Sequence, residues 1–71
     1  MQQVILKRAR QSRRLTALEL AELIGRTEQF IYRIERGTTR MKIEDAAKIC
    51  DALNYPLAVV FPDLARAEGS T

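Results

Sequence analysis

The sequence predicts an all-α domain of five helices. Apolar residues recur at helical spacing between short turn segments, and no alternating apolar and polar run bounded by turn residues indicates a strand. The 71 residues suffice for one small domain, and 46% hydrophobic residues are enough for one core. We therefore expect a domain over residues 1–65, followed by a flexible tail over residues 66–71.

The second helix has the clearest local signals. Thr16 and Glu19 have the spacing of a capping box, and Gly25 can adopt the left-handed conformation that ends a helix. Between them, three apolar residues at helical spacing are expected to face the core: Leu20, Leu23 and Ile24.

The third helix follows after a very short connection. Thr27 can cap its start, Gly37 can end it, and Ile31 and Ile34 are expected to point inward. Only residues 25–27 separate it from the second helix, which forces a sharp turn and predicts a helix-turn-helix.

Three further helices complete the prediction. The first spans about Gln3–Arg13, and the fourth spans about Ile43–Leu53, with Asn54 as its left-handed cap. The fifth is a short apolar segment over residues 56–65 that begins with a proline. Cys50, on the fourth helix, is expected to be a small buried residue.

The charge distribution separates the two halves of the chain. Residues 1–40 contain nine basic and four acidic residues, a net charge of +5, whereas residues 41–71 have a net charge of −2. This asymmetry indicates that the first half binds a polyanion.

Several functional classes are disfavoured by composition. With one cysteine and no histidine, the chain offers neither an internal disulfide nor a zinc site of the Cys/His kind. No nucleophile–base pair or cofactor loop is present, so we expect no enzyme activity, cofactor, metal or small-molecule ligand. The apolar run at residues 4–7 is too short for a signal peptide or a membrane span, so we expect a cytoplasmic protein with no membrane partner.

The segment "LTALELAELIGRTEQFIYRIERG", residues 15–37, resembles the helix-turn-helix of the Cro and phage-repressor class, also called the Xre or lambda-repressor-like family. The match includes Ala21, Gly25, Ile31 and the closing "IERG" of residues 34–37. The resemblance covers residues 3–62 and implies a compact five-helix DNA-binding domain, with the helix-turn-helix at about residues 16–36.

If the third helix is a recognition helix, its outer face enters the DNA major groove. Gln29 can bind adenine and Arg33 guanine, each through two hydrogen bonds, and Glu28 can accept one from cytosine. The expected base-reading residues are Thr27, Glu28, Gln29, Tyr32 and Arg33. Glu28 is equally explained by the helix dipole alone, Tyr32 could cover the core edge, and Phe30 could pack against the second helix or a thymine methyl.

Other basic and polar residues are expected to contact phosphates, which makes affinity fall steeply with salt. The candidates are Arg14, Arg26, Arg36, Thr38, Thr39, Arg40 and Lys42. Arg8 and Arg13 are left for solvent or phosphates. The resemblance also implies a structural ion pair, in which Arg10 of the first helix binds Glu35.

Two departures from the family pattern bear on binding. Ala17 stands where the family usually has a glutamine that binds a phosphate, so that contact is missing or is made by backbone N–H groups. Met41 and Lys42 replace the usual Pro and Ser/Thr, so the fourth helix is expected to lack a side-chain N-cap.

The apolar end of the chain suggests a dimer interface. The expected interface residues are Leu57, Ala58, Val59, Val60, Phe61 and Leu64. The alternative is a small core packed under its own tail. A two-fold dimer would place two recognition helices about 34 Å apart on a near-palindromic operator.

Two hypotheses for function follow. The first is a homodimeric, sequence-specific transcriptional regulator of bacterial, phage or mobile-element origin, for which RNA polymerase is a further candidate partner. The second is a protein-interaction module, such as an antitoxin, whose helix-turn-helix binds a protein. Ala17 and Glu28 favour the second, whereas the basic first half, Gln29 and Arg33 favour the first.

Overall fold

The chain folds into helices, as the sequence predicts. A computed structural model describes residues 4–38 and 41–69, with side chains from residue 5 to residue 65, and these residues form no strand. The helices are α1 (Val4–Ser12), α2 (Ala17–Ile24), α3 (Glu28–Arg36), α4 (Ile43–Leu53), α5 (Leu57–Val60) and α6 (Pro62–Gly69). None of these helices has both the length and the apolar character needed to cross a membrane.

The capping signals of α2 and α3 are confirmed. The backbone N–H of Thr16 donates to Glu19 Oε1 at 2.8 Å, and the backbone N–H of Glu19 donates to Thr16 Oγ1 at 3.0 Å. Gly25 ends α2 with a φ of 73°, in the left-handed region that favours glycine. Thr27 Oγ1 accepts from the backbone N–H of Phe30 at 3.2 Å and so caps α3. The turn between α2 and α3 is therefore held from both helix ends.

Helix α4 matches its predicted bounds and its predicted ends. Asn54 follows it in the left-handed conformation, whereas Lys42 precedes it without a side-chain hydrogen bond to the helix. Cys50 is buried, and this burial, together with the charge of Asp51, raises the pKa of its thiol. A raised pKa keeps the thiol protonated and unreactive at neutral pH.

Helices α1, α2, α3, α4 and α5 share one hydrophobic core. Buried apolar residues come from each of these five helices and from the residue after α5: Leu6, Ala9, Ala17, Leu20, Ala21, Ile24, Ile31, Ile34, Ala46, Ile49, Cys50, Leu53, Val60 and Phe61. The prediction for Leu23 is wrong, because its side chain is 61% exposed. Leu23 lies about 100° around the helix from Ile24, outside the stripe that α2 buries.

The predicted fifth helix is two helices. The chain leaves the helical conformation at Phe61, whose φ and ψ are −128° and 69°. Pro62 explains the break, because its ring disfavours the α conformation in the preceding residue and favours a helix start at its own position. Helix α6 then continues to Gly69, four residues past the predicted helix end. Residues 70 and 71 of the predicted tail lie outside the described residues.

Two residues of the predicted dimer interface are buried within the single chain and are not available for a second copy. Val60 and Phe61 are 0% and 2% exposed, so they belong to the core of the single chain. Leu57 and Leu64 are half-buried against that core. Only Ala58 and Val59 of the expected set are exposed, because a helix of four residues directs one side to the core and the other to the surface.

A buried ion pair links α1 to α3. Arg10 Nε donates to Glu35 Oε2 at 2.8 Å and Arg10 Nη2 to Glu35 Oε1 at 3.3 Å, while Nη1 donates to the backbone carbonyl of Leu15 at 2.9 Å. The two side chains are 9% and 8% exposed. The structure thus brings together the two residues that the resemblance pairs, in the two-bond geometry that suits a guanidinium and a carboxylate.

Arg13 has an internal role that the sequence analysis missed. Its Nε donates to the carbonyl of Leu53 at 2.8 Å, its Nη2 donates to the carbonyl of Asn54 at 3.3 Å, and its guanidinium carbon lies 4.0 Å from the ring centre of Tyr55. A cation at the last carbonyls of α4 is stabilised by the helix dipole. Arg13 therefore joins the end of α1 to the end of α4.

We predict that Arg10→Ala destabilises the domain by about 3–5 kcal/mol, because it leaves the buried carboxylate of Glu35 without its partner. Urea denaturation followed by circular dichroism measures this change. Arg8→Ala is the matched control, since Arg8 is exposed on the same helix and should change stability by no more than about 0.5 kcal/mol. Equal losses in the two variants would contradict the structural role of the pair.

Candidate nucleic-acid interface

The outer side of α3 is a polar, basic surface backed by the core. Ile31 and Ile34 are buried on the inner side, and successive residues turn by about 100° around a helix. Opposite the two isoleucines lie four exposed residues: Gln29, Tyr32, Arg33 and Arg36. We call this set the α3 face.

The remaining predicted base-reading residues lie at the N-terminal end of α3. Thr27 is exposed, but its hydroxyl oxygen already accepts the capping hydrogen bond from Phe30. Glu28 is half-buried in the first turn, where the helix dipole favours an acid without any ligand. Tyr32 is 43% exposed, so more than half of it is covered by the protein.

The predicted phosphate contacts come from several segments of the chain. Arg36 and Lys42 are exposed at the end of α3 and before α4, and Arg14 is exposed in a left-handed conformation after α1. Thr38 Oγ1 donates to the carbonyl of Arg33 at 3.2 Å, which helps to cap the end of α3. Thr39 and Arg40 lie outside the described residues.

Arg26, the last predicted phosphate contact, is held by other side chains. Its Nη2 donates to Asp45 Oδ2 at 3.0 Å, and its guanidinium carbon lies 4.1 Å from the ring centre of Phe30. Phe30 itself is half-buried against the core. No local sequence pattern indicates this arrangement, because Asp45 is 19 positions away along the chain.

The α3 face keeps its positive charge because one of the two acids of α3, Glu35, is neutralised by Arg10. Glu35 lies on the same helix, but both of its oxygens accept hydrogen bonds from Arg10. Arg33 and Arg36 are exposed, and neither is in an ion pair with another described residue. The face thus offers hydrogen-bond donors and positive charge, the combination that nucleic-acid phosphates and base edges bind.

A second surface of interest lies between α1 and α5. Ile5 and Val59 are 42% and 50% exposed, and they line a shallow depression of about 390 Å³ together with Arg8, Ala9, Ser12 and Tyr55. The apolar surface predicted from the sequence lay within residues 57–64 and included nothing from α1. The contribution of α1 depends on how the two helices pack, which no local pattern reveals.

A sharply turned helix pair with a basic outer helix defines a helix-turn-helix DNA-binding regulator. A family model described as helix-turn-helix matches residues 6–60. The chain belongs to the Cro/phage-repressor-type helix-turn-helix family, and DNA is its partner. A search of curated proteins gave no match.

Proposed function

We propose that this chain is a sequence-specific transcriptional repressor that binds a near-palindromic operator as a homodimer. The observation that carries the proposal is the α3 face, in which amide, phenol and guanidinium groups are exposed directly above buried Ile31 and Ile34. A helix whose inner side is packed on the core and whose outer side is polar suits the major groove, which admits one α-helix. A protein bound at a promoter blocks polymerase and needs no further activity.

Base reading is assigned to the part of the α3 face nearest the start of the helix. Gln29, in the first turn of α3, can bind adenine through two hydrogen bonds, and Arg33, about one turn further along, can bind guanine in the same way. Glu28 is a candidate acceptor for cytosine, and Tyr32 a candidate backbone contact. Each well-formed base contact contributes about 1–3 kcal/mol of discrimination.

Contacts with the DNA backbone are assigned to exposed cations on α3, after α1 and before α4. Arg36, Arg14, Lys42 and Thr38 are exposed, and Thr39 and Arg40, which follow Thr38 in the sequence, remain candidate contacts. Each neutralised phosphate releases counterions and steepens the salt dependence of binding. These contacts orient the protein without reading sequence.

The dimer is assigned to the depression between α1 and α5. Val59 and Ile5 are its two large exposed apolar residues, and Ala58 is exposed beside them on α5. A two-fold dimer places the same surface of both copies in contact. The two exposed side chains would then be removed from water, which stabilises the dimer by about 25 cal/mol for each Å² of apolar area buried.

We predict that Gln29→Ala and Arg36→Ala affect DNA binding differently. Selection from a random duplex pool first defines the preferred operator. Gln29→Ala should weaken binding to that operator by about 1–3 kcal/mol with little effect on random DNA, because it removes a base contact. Arg36→Ala should weaken binding to both and lower the salt slope by about 0.9, because it removes one phosphate contact. Fluorescence anisotropy at several salt concentrations measures both effects.

The matched control for Gln29 is Gln11→Ala, since Gln11 is an exposed glutamine on α1. Its operator affinity should equal that of the wild type. Equal losses on operator and random DNA in the Gln29 and Arg36 variants would refute the division between base and phosphate contacts. Failure of the pool to enrich any sequence, with no salt-dependent binding to DNA, would favour the protein-interaction module instead.

We predict that Val59→Asp shifts the protein from dimer to monomer, because it places a charge in the apolar contact between two copies. Analytical ultracentrifugation measures the mass. Leu23→Asp is the matched control, since Leu23 is also an exposed apolar residue but lines a different groove, with Ile24, Lys48, Asp51 and Ala52. A mass unchanged by Val59→Asp, or changed equally by Leu23→Asp, would rule out this interface.

A further inference from the structure

The side chain of Arg26 is fixed on two sides, although it lies in the turn at the surface. The ring of Phe30 lies 4.1 Å below the guanidinium carbon, and Asp45 Oδ2 lies 3.0 Å from Nη2. The Arg26 side chain is 44% exposed, whereas that of Asp45 is 13% exposed. Asp45 is thus a mostly buried anchor on α4, and Arg26 is the exposed member of the pair.

The free side of Arg26 faces a depression at the start of α3. This depression has a volume of about 310 Å³ and is lined by Gly25, Arg26, Thr27, Phe30 and Arg33. Asp45 does not line it, so the acid holds Arg26 from outside the depression. A guanidinium has five N–H donors, and only one nitrogen of Arg26 is bound to Asp45. Other donors therefore remain for a ligand.

We propose that Asp45 is a positioning residue for DNA binding. Together with Phe30 it holds Arg26 in one orientation, so that the free edge of the guanidinium binds a backbone phosphate beside the start of α3. This inference rests on the proposed function, because it assumes that the α3 face binds a duplex. Arg33, which lines the same depression, would place its base contact next to that phosphate.

The physical basis is the entropy of a long side chain. A mobile arginine side chain on the surface loses rotamer freedom when it binds a phosphate. A side chain that is already fixed by neighbouring residues lost that freedom when the protein folded. The planar guanidinium suits this arrangement, since it can stack on a ring and bind a carboxylate at one edge. Asp45 therefore lowers the entropic cost of the phosphate contact.

The proposal predicts that removing Asp45 weakens DNA binding, whereas the loss of a negative charge alone would strengthen it. Removing an acid near bound DNA ordinarily strengthens binding, because it reduces repulsion of the phosphates. Loss of positioning weakens binding instead. Glu44 provides the matched control, since it is an exposed acid at the adjacent position in the first turn of α4.

The experiment compares Asp45→Ala, Glu44→Ala, Arg26→Ala and the double variant Asp45→Ala/Arg26→Ala in DNA-binding titrations. Asp45→Ala should weaken binding to operator and random DNA alike, by about two- to tenfold, which corresponds to one side chain that must be ordered on binding. Glu44→Ala should bind equally or more tightly. The double variant should bind no more weakly than Arg26→Ala alone, because Asp45 acts only through Arg26.

Three results would overturn the proposal: unchanged binding by Asp45→Ala, tighter binding by Asp45→Ala, or the same loss from Asp45→Ala when Arg26 is already absent. The last result would show a purely structural role. Melting temperatures identify a variant that does not fold. In that case Arg26→Lys decides, because it keeps the charge that neutralises a phosphate but lacks the planar group that stacks on Phe30. It should bind more tightly than Arg26→Ala but more weakly than the wild type, and wild-type affinity would overturn the proposal.

The same titrations separate this inference from the proposed function. A wild-type protein that binds no DNA overturns both. A wild-type protein that binds its operator, with an Asp45→Ala variant that binds equally well, overturns only the role of Asp45.

Discussion

The position of α3 depends on the burial of Ile31 and Ile34. Both are almost fully buried, and burying an isoleucine side chain contributes about 1.5–3 kcal/mol. Because these two residues occupy the inner side, the opposite side of the helix must face solvent. Ala21 is completely buried on α2, the helix that packs against α3, and its small size allows a close approach. The pair of Arg10 and Glu35 then ties α3 to α1, so the α3 face is held by the core and by an ion pair.

The arginines of the first half of the chain have different roles. The sequence presents them as one basic region, but Arg10 is buried in an ion pair and Arg13 binds the last carbonyls of α4. Arg26 forms an ion pair with Asp45 and is still partly exposed to solvent. Arg33 and Arg36 are the exposed cations of α3. The charge that faces a duplex is therefore smaller than the net charge of residues 1–40, and its placement is determined by the fold.

The features that could be predicted from sequence are those encoded by neighbouring residues. The capping box of Thr16 and Glu19, the left-handed Gly25 and Asn54, and the missing cap at Lys42 all follow from local chemistry, and the structure contains each of them. The break before Pro62 was missed, although the proline signals it, because proline restricts the conformation of the residue before it. The alternation of exposed and buried residues on α3 followed from helical spacing.

The features that could not be predicted depend on packing between distant segments. Val60 and Phe61 are as apolar as Val59, and only the path of α5 over the core makes them buried and Val59 exposed. The contact of Arg26 with Asp45 likewise joins two helices that no short pattern connects. The candidate interface could therefore be located on α3 from sequence, whereas the partners of its arginines required the structure.

The central claim is that the α3 face is the surface that meets DNA. The most direct measurement is a titration of ¹⁵N-labelled protein with the selected duplex, followed by NMR chemical shifts. We expect the largest shifts at the Gln29 side-chain amide and at the backbone amides of α3, with smaller shifts at α2 and α4. Large shifts confined to the groove of Leu23 and Lys48, with the signals of α3 unchanged, would contradict the claim.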